Sequence, residues 1–145
     1  MKALQVIELF AGLGANGQPI VEKMHVRELE NGHMQLVKSP AFIKGLASGD
    51  VIRCDVPNQE FEIVQRSGNL NVRVFSRDEI APLADAITPE IEKLGGDLDI
   101  ETPRMLVYSI PVSCGFSVVA DLLSQHIVYA GRGAWMFGHV YAPID

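Results

Sequence analysis

The chain has 145 residues, of which 48% are hydrophobic and 21% charged, a balance that excludes a disordered tail and supplies enough apolar material for a buried core. Its net charge of −6 is unevenly placed: residues 1–76 carry eight Lys/Arg and eight Asp/Glu, whereas residues 77–145 carry four and ten. An acidic surplus argues against nucleic acid as a partner, because affinity for phosphates rests largely on Lys and Arg.

The opening Met1 to Phe10 is apolar, but Gln5 and Glu8 interrupt it and it falls short of the ~20 apolar residues of a membrane span. It predicts neither a signal peptide nor a transmembrane helix, so no membrane partner is expected. Cys54 and Cys114 are then expected to be reduced thiols in a cytoplasmic protein. Leu4 to Phe10 reads as a strand, followed by Gly12-Leu13-Gly14-Ala15-Asn16-Gly17. This matches the dinucleotide-binding pattern G-x-G-x-x-G in its letters only. The pattern requires a helix whose N-terminus holds a pyrophosphate, and Gln18-Pro19-Ile20-Val21 leads into another strand instead. A hairpin loop is the expectation.

Asn31-Gly32 between Val21–Glu30 and His33–Lys38 is a strong hairpin signal, because both central residues of a type I′ turn need positive φ. A two-residue turn sets His25 opposite Lys38 and His33 opposite Glu30, which is no metal pair. After the Pro40-Ala41-Phe42 turn and Gly49-Asp50, residues 51–56 and 61–65 alternate apolar with polar and are split by Pro57-Asn58-Gln59. Leu70 to Phe75 gives a strand with Leu70, Val72 and Val74 on one face. This density of short strands predicts a small β-barrel or a bent antiparallel sheet over residues 1–76.

Beyond Phe75 the period becomes helical, with Ile80, Leu83, Ile87, Ile91 and Leu94 on one face, Ser76 and Glu79 spaced as a capping box, and Gly95-Gly96 as the stop. Thr88-Pro89-Glu90 predicts a break within that helix. A strand over 104–110, a helix from Phe116 to Ile127 capped by Ser113, and a strand from Trp135 to Tyr141 complete a β-α-β-α-β order with its helices on one face. The expected class is α+β, with a β-rich half (1–76) and an α/β half (77–145) that are either separate or fused in one compact domain.

With these elements placed, the chain resembles an uncharacterised bacterial family, domain of unknown function 4265. The resemblance rests on Val21-Glu22-Lys23-Met24, on Pro40-Ala41-Phe42 with the run from Lys44 to Ile52, on Arg66-Ser67-Gly68 and on Val72-Arg73-Val74. It covers roughly residues 20–140. Asn69, Leu70 and Asn71 stand where similar sequences often place His and Ser or Thr, and Phe137-Gly138-His139 where they tend to end in Tyr-Glu. A family site built on those side chains would be missing here. The family has no established activity, so the resemblance implies a fold and no reaction.

No convincing catalytic or cofactor motif is present, and no cofactor or metal is expected. Cys114 precedes a helix whose free N–H groups could lower a thiol pKa, but His126 lies at the helix's far end and His139 on another strand, so a buried helix-entry residue is the simpler reading. Gly131-Arg132-Gly133 offers an anion its N–H groups and guanidinium, or serves as a plain turn. Asp50 suits a turn that holds nearby N–H groups better than it suits an acid or base. Arg66, Ser67, Asn69 and Arg73 form the most polar cluster of the β-rich half and, with Asp50, are the candidate ligand or partner contacts. Trp135, Phe137 and Tyr141 read as core and rim of the last strand.

From Asp78 to Glu101, the residues Asp78, Glu79, Asp85, Glu90, Glu92, Asp97, Asp99 and Glu101 are offset only by Lys93. They offer a surface to a basic protein partner, or else they are a solvated face that maintains solubility. The function expected is a binding module acting by protein contact, of an immunity or regulatory type. The alternatives are a small-molecule sensor or enzyme with its site between the halves and, more weakly, an RNA-binding barrel. A second copy of the chain is a further candidate partner.

Overall fold

The computed structural model describes residues 4–55, 57, 59–128 and 130–138. Nine strands and two α-helices form two antiparallel sheets among these residues. The first sheet has the order β1-β2-β3-β4-β5, with β1 Leu4–Leu13, β2 Pro19–Glu28, β3 Met34–Leu36, β4 Val51–Asp55 and β5 Glu60–Gln65. Its inner face buries Ile7, Leu9, Met24, Val26, Leu36 and Ile52. The sheet curls until the Phe10 N–H donates to Gln59 O at 2.9 Å, yet β1 and β5 form no ladder. A bent sheet is therefore correct and a closed barrel is not: that hydrogen bond goes to the residue ahead of β5, and the edges of β1 and β5 stay unjoined.

The glycine-rich segment after β1 is the loop of the β1–β2 hairpin, closed by Gly14 N–H to Gln18 O at 2.8 Å, and no helix follows it. Asn31 and Gly32 do adopt positive φ, 67° and 75°, but within a 3-10 turn, Glu30–Gly32, rather than a two-residue hairpin turn. Pairing consequently slips by one residue, to Val26↔Leu36 and Arg27↔Gln35, and the predicted partners of His25 and His33 do not hold. The slip has a reason. It puts Val26 and Leu36 on the same buried face, and a one-residue change of register would send one of them into solvent.

The second sheet has the order β7-β8-β6-β9, from β6 Asn69–Ser76, β7 Asp97–Thr102, β8 Met105–Pro111 and β9 Gly133–Phe137. Helix α1, Ala81–Lys93, links β6 to β7, and α2, Phe116–Leu123, links β8 to β9. The chain order is thus β-α-β-β-α-β, a split β-α-β arrangement, in place of the expected β-α-β-α-β. The strand absent from that expectation is β7, whose Asp-Leu-Asp-Ile-Glu-Thr alternation between Gly96 and Thr102-Pro103 is short and acidic. Strand β6 pairs with β8 and β9, so the boundary between sheets falls between Gln65 and Asn69.

Both helices lie on one face of this sheet, as expected. Leu70, Val72 and Val74 of β6 and Leu106, Tyr108 and Ile110 of β8 pack there against Leu83, Ile87 and Ile91 of α1 and Val119, Leu123 and Ile127 beyond it. Helix α1 runs through Pro89 without the predicted break. Pro89 lacks the N–H that would bond to Asp85, but both residues face solvent, where water can satisfy the released carbonyl. Thr88 does not cap a second helix; its Oγ1 lies 2.7 Å from Tyr108 Oη. Burial pushes the Tyr108 phenol up to about 12, with the Thr88 hydrogen bond opposing that change.

Neither predicted N-cap is used. Ser76 Oγ accepts from the Asp78 N–H at 3.1 Å in a turn ahead of α1, and α2 begins after Gly115 without a side-chain cap. The predicted stop is correct: Gly95 and Gly96 N–H groups close α1 on Glu92 O and Ile91 O at 3.0 Å. Beyond α2 a π-helical turn, Ser124–Val128, carries the chain toward β9. His139, Tyr141 and the end of the predicted last strand lie outside the described residues, as do Val56 and Asn58.

The sheets are joined through the loop between β3 and β4, which inserts Ile43 and Leu46 into the first core and Ala41 against Met105 and Val107 of the second sheet. Layers that share a buried segment in this way should unfold together. Fluorescence of Trp135, the chain's one tryptophan, and far-UV dichroism are expected to give coincident denaturation curves; two separated transitions would show independent halves.

Candidate functional site

The β3–β4 loop is held from one side by a half-buried carboxylate and from the other by buried polar groups. On one side, Glu22 of β2 accepts from three successive backbone N–H groups: Ala41 (2.7 Å) on Oε2, Phe42 (2.8 Å) and Ile43 (3.1 Å) on Oε1. On the other, Arg73 of β6 donates from Nη2 to Pro40 O at 3.2 Å and to Ile43 O, and Asn71 Nδ2 donates to Pro40 O (2.9 Å) and Leu46 O (3.0 Å). A carboxylate on the donor side and a guanidinium on the acceptor side grip the same four residues. Arg73 is only 3% exposed and its pKa is lowered by burial, with Glu22 opposing that change. Asn71 Oδ1 and Arg73 Nε are buried without a hydrogen-bond partner.

The second grip is Asp50. Its Oδ2 accepts from Ala47 N–H at 2.9 Å and its Oδ1 from Ser67 N–H at 2.8 Å, so one buried carboxylate ties the loop to the turn before β6. This agrees with its reading as a turn-fixing residue. Gly49 has φ +85°, and a Cβ there would lie 2.9 Å from Ser67 Cβ, which explains the glycine. Asn69 Nδ2 donates to Ser48 O at 2.9 Å, and Arg66 Nη1 to Gly45 O at 3.3 Å.

A third grip was not foreseen. Ser39 N–H and Ser109 Oγ both donate to Asp99 Oδ2, the first at 2.8 Å, and Ser39 Oγ lies 2.7 Å from Ser109 Oγ. Burial raises the Asp99 pKa and these hydrogen bonds pull it back only in part. Asp99 therefore joins the loop to β7 and β8 rather than belonging to the acidic surface.

The structure thus gathers Asp50, Arg66, Ser67, Asn69 and Arg73 around one loop; Asp50, Arg66, Asn69 and Arg73 bond to its backbone, while Ser67 meets it through Asp50. Asp50 and Arg73 are inaccessible to a ligand arriving from water, whereas Arg66 and Ser67 are exposed. Glu22, Asn71, Ser39 and Ser109 were missed. One signal was available: Asn71 and Arg73 alternate with Leu70, Val72 and Val74 in a strand that the structure buries on both faces.

Away from the loop, burial pushes the Cys114 thiol up, the opposite of the activation that a helix N-terminus could give, and the side chain packs at the edge of the helix core, in line with the simpler reading. Gly131 and Gly133 line a cleft of about 430 Å³ with Phe75, Ser76, Arg77 and Ala134, and Arg132 borders a smaller one beside Asp78 and Glu79. Among the acidic candidates, Asp78, Glu79, Asp85 and Glu92 are exposed, while Glu90 is half-buried and lies 3.3 Å from Lys93 Nζ. Glu79 and Glu101, from the turn before α1 and from β7, line a cleft of about 440 Å³ with Ile80, Ala81 and Pro103. Among the described residues no three His, Cys, Asp or Glu side chains gather as a metal site, and no helix is long and apolar enough to cross a membrane.

The profile of the family described as Domain of unknown function (DUF4265) matches residues 22–135. The chain belongs to this family. Its match begins at Glu22 and takes in all three grips on the loop. A solved structure, "Novel crystal structure of a hypothetical protein from Neisseria gonorrhoeae", is similar with a TM-score of 0.72 and 16% identity, over 96% of this chain and 95% of that one. At that identity the similarity concerns the fold of this DUF4265 protein alone. No curated protein matches it.

The three grips differ in which oxygens they use, and this gives a test. Asp50→Asn places an amide donor against a backbone N–H and is expected to cost about 2–3 kcal/mol, from one unsatisfied buried donor and the lost charge. Asp99→Asn keeps both bonds on a single oxygen and should stay within about 1 kcal/mol of wild type at neutral pH. Because folding raises the Asp99 pKa, its contribution is fully present below about pH 4 and is lost as pH rises through the folded value. Wild type should therefore lose stability relative to Asp99→Asn over that interval, measured by urea denaturation as a function of pH.

Proposed function

We propose that this protein is a binding module that engages a basic protein partner through the acidic surface of α1, the turn before it and β7. The observation that carries this reading is a cluster of six exposed carboxylates drawn from three elements, of which Asp78 and Glu79 share a small cleft with Arg132. Asp78 and Glu79 come from the turn, Asp85 and Glu92 from α1, and Asp97 and Glu101 from β7; all are exposed, and Lys93, the cation within this stretch, lies beside Glu90. Glu79 and Glu101 flank a cleft whose Ile80, Ala81 and Pro103 suit the aliphatic stem of a lysine or arginine, with the carboxylates at its rim.

The burial of Asp50 and Arg73 supports the same reading from the other direction, since the polar residues of the clasp are committed to backbone groups. Neutralisation of a basic toxin by an immunity-type protein is one concrete form of this function, and a cytoplasmic setting fits it. Charge opposed to charge would accelerate association and make it salt-sensitive.

Affinity capture from the source cell tests the proposal. Wild type is expected to retain a stoichiometric basic partner that elutes with salt, and Asp85→Lys with Glu92→Lys should lose it at least tenfold. Recovery of no stoichiometric partner, or capture indifferent to the double reversal, would overturn the reading.

A further inference from the structure

The outer face of the β1–β2 hairpin carries two unlike rows. Along β1, Leu4, Val6 and Phe10 are 60%, 56% and 42% exposed, a concentration of apolar side chains unusual for a strand at the edge of its sheet. Directly across, the register sets Arg27 opposite Leu4, His25 opposite Val6, Lys23 opposite Glu8 and Val21 opposite Phe10. A row that is apolar but for Glu8 therefore runs beside one whose cations are Lys23, opposite Glu8, and Arg27, about 5 Å away.

Helix α1 presents the complementary pattern. Pro82, Asp85, Pro89 and Glu92 are exposed or bounded by solvent on its outer side. At about 100° per residue, the two prolines lie in one row and the two carboxylates in the next. Asp85 and Glu92 are about 10.5 Å apart along the helix axis. Lys23 and Arg27 are about 13 Å apart along the strand, a difference that two long, flexible side chains absorb.

We propose that the outer face of this hairpin docks on the α1 surface of a second copy, with Lys23 and Arg27 against Asp85 and Glu92 and the β1 apolar row over the prolines. This rests on the acidic surface being a protein contact, and it gives that surface a further occupant, a second copy of this chain that meets it with a cationic patch although the chain is acidic as a whole. Packing two hairpins on each other is disfavoured, because matching their apolar rows opposes either cations to cations or Glu8 to Glu8. The contact joins two different patches, so it forms a reciprocal pair, a ring or, where the rotation does not close, an open filament.

Sedimentation as a function of concentration and salt provides the test, with four exposed residues altered and folding checked by dichroism. Wild type should associate in the micromolar range, more weakly at high salt. Lys23→Glu with Arg27→Glu, and separately Asp85→Lys with Glu92→Lys, should each weaken self-association at least tenfold. Mixing the two variants should restore it, because each then meets opposite charge at both contacts. Wild type that stays monomeric to millimolar concentration overturns the inference, and capture of a basic partner by that monomer would leave the acidic-surface reading intact. Association that ignores Asp85→Lys with Glu92→Lys, or a mixture that fails to re-associate, also overturns it.

Discussion

Everything in this molecule depends on how the four residues Pro40 to Ile43 are held. A loop between two sheets has backbone N–H and C=O groups with no ladder to join, and burying them unpaired would cost more than a small domain can tolerate. Glu22 supplies acceptors to the N–H side from the first sheet, while Arg73 and Asn71 supply donors to the C=O side from the second. The loop then acts as an interlayer. Ile43 and Leu46 enter one core and Ala41 meets the other, so the polar groups that satisfy the backbone also fix the position of the apolar ones.

The clasp also accounts for where the family resemblance lies. Glu22, the Pro40 to Ile52 run, Arg66-Ser67 and Arg73 are far apart in the chain and meet around one segment. A sequence signature of this kind describes a scaffold. The surfaces left for recognition are those the scaffold does not use, namely the carboxylates around α1 and the apolar and cationic rows of the first hairpin, which differ in charge and lie on different elements.

Much of the architecture was legible. The two helices on one face, the Gly95-Gly96 stop, the rejection of a nucleotide-binding loop and the bent first sheet follow from periodicity and from the residues at turns. Errors occurred where a local rule met a tertiary constraint. Asn31-Gly32 took the expected positive φ, but joint burial of Val26 and Leu36 selected a register one residue away. Pro89 remained inside α1 because its missing hydrogen bond falls on the solvent side. Strand β7 was missed because an acidic alternation beside a helix reads as surface, whereas its Asp99 turns inward to Ser39 and Ser109.

By itself the sequence determined the α+β class, the placement of most elements, the asymmetry of charge and the membership of an uncharacterised family. Those depend on spacing and composition, which are local. Only the tertiary structure decided that Asp50 and Arg73 are buried fasteners rather than contacts, that Asp99 leaves the acidic surface, and that Glu22 belongs with residues twenty and fifty positions away. A carboxylate or guanidinium looks the same in sequence whether it faces water or a buried peptide group. Its role is set by which unpaired backbone groups the fold brings to it.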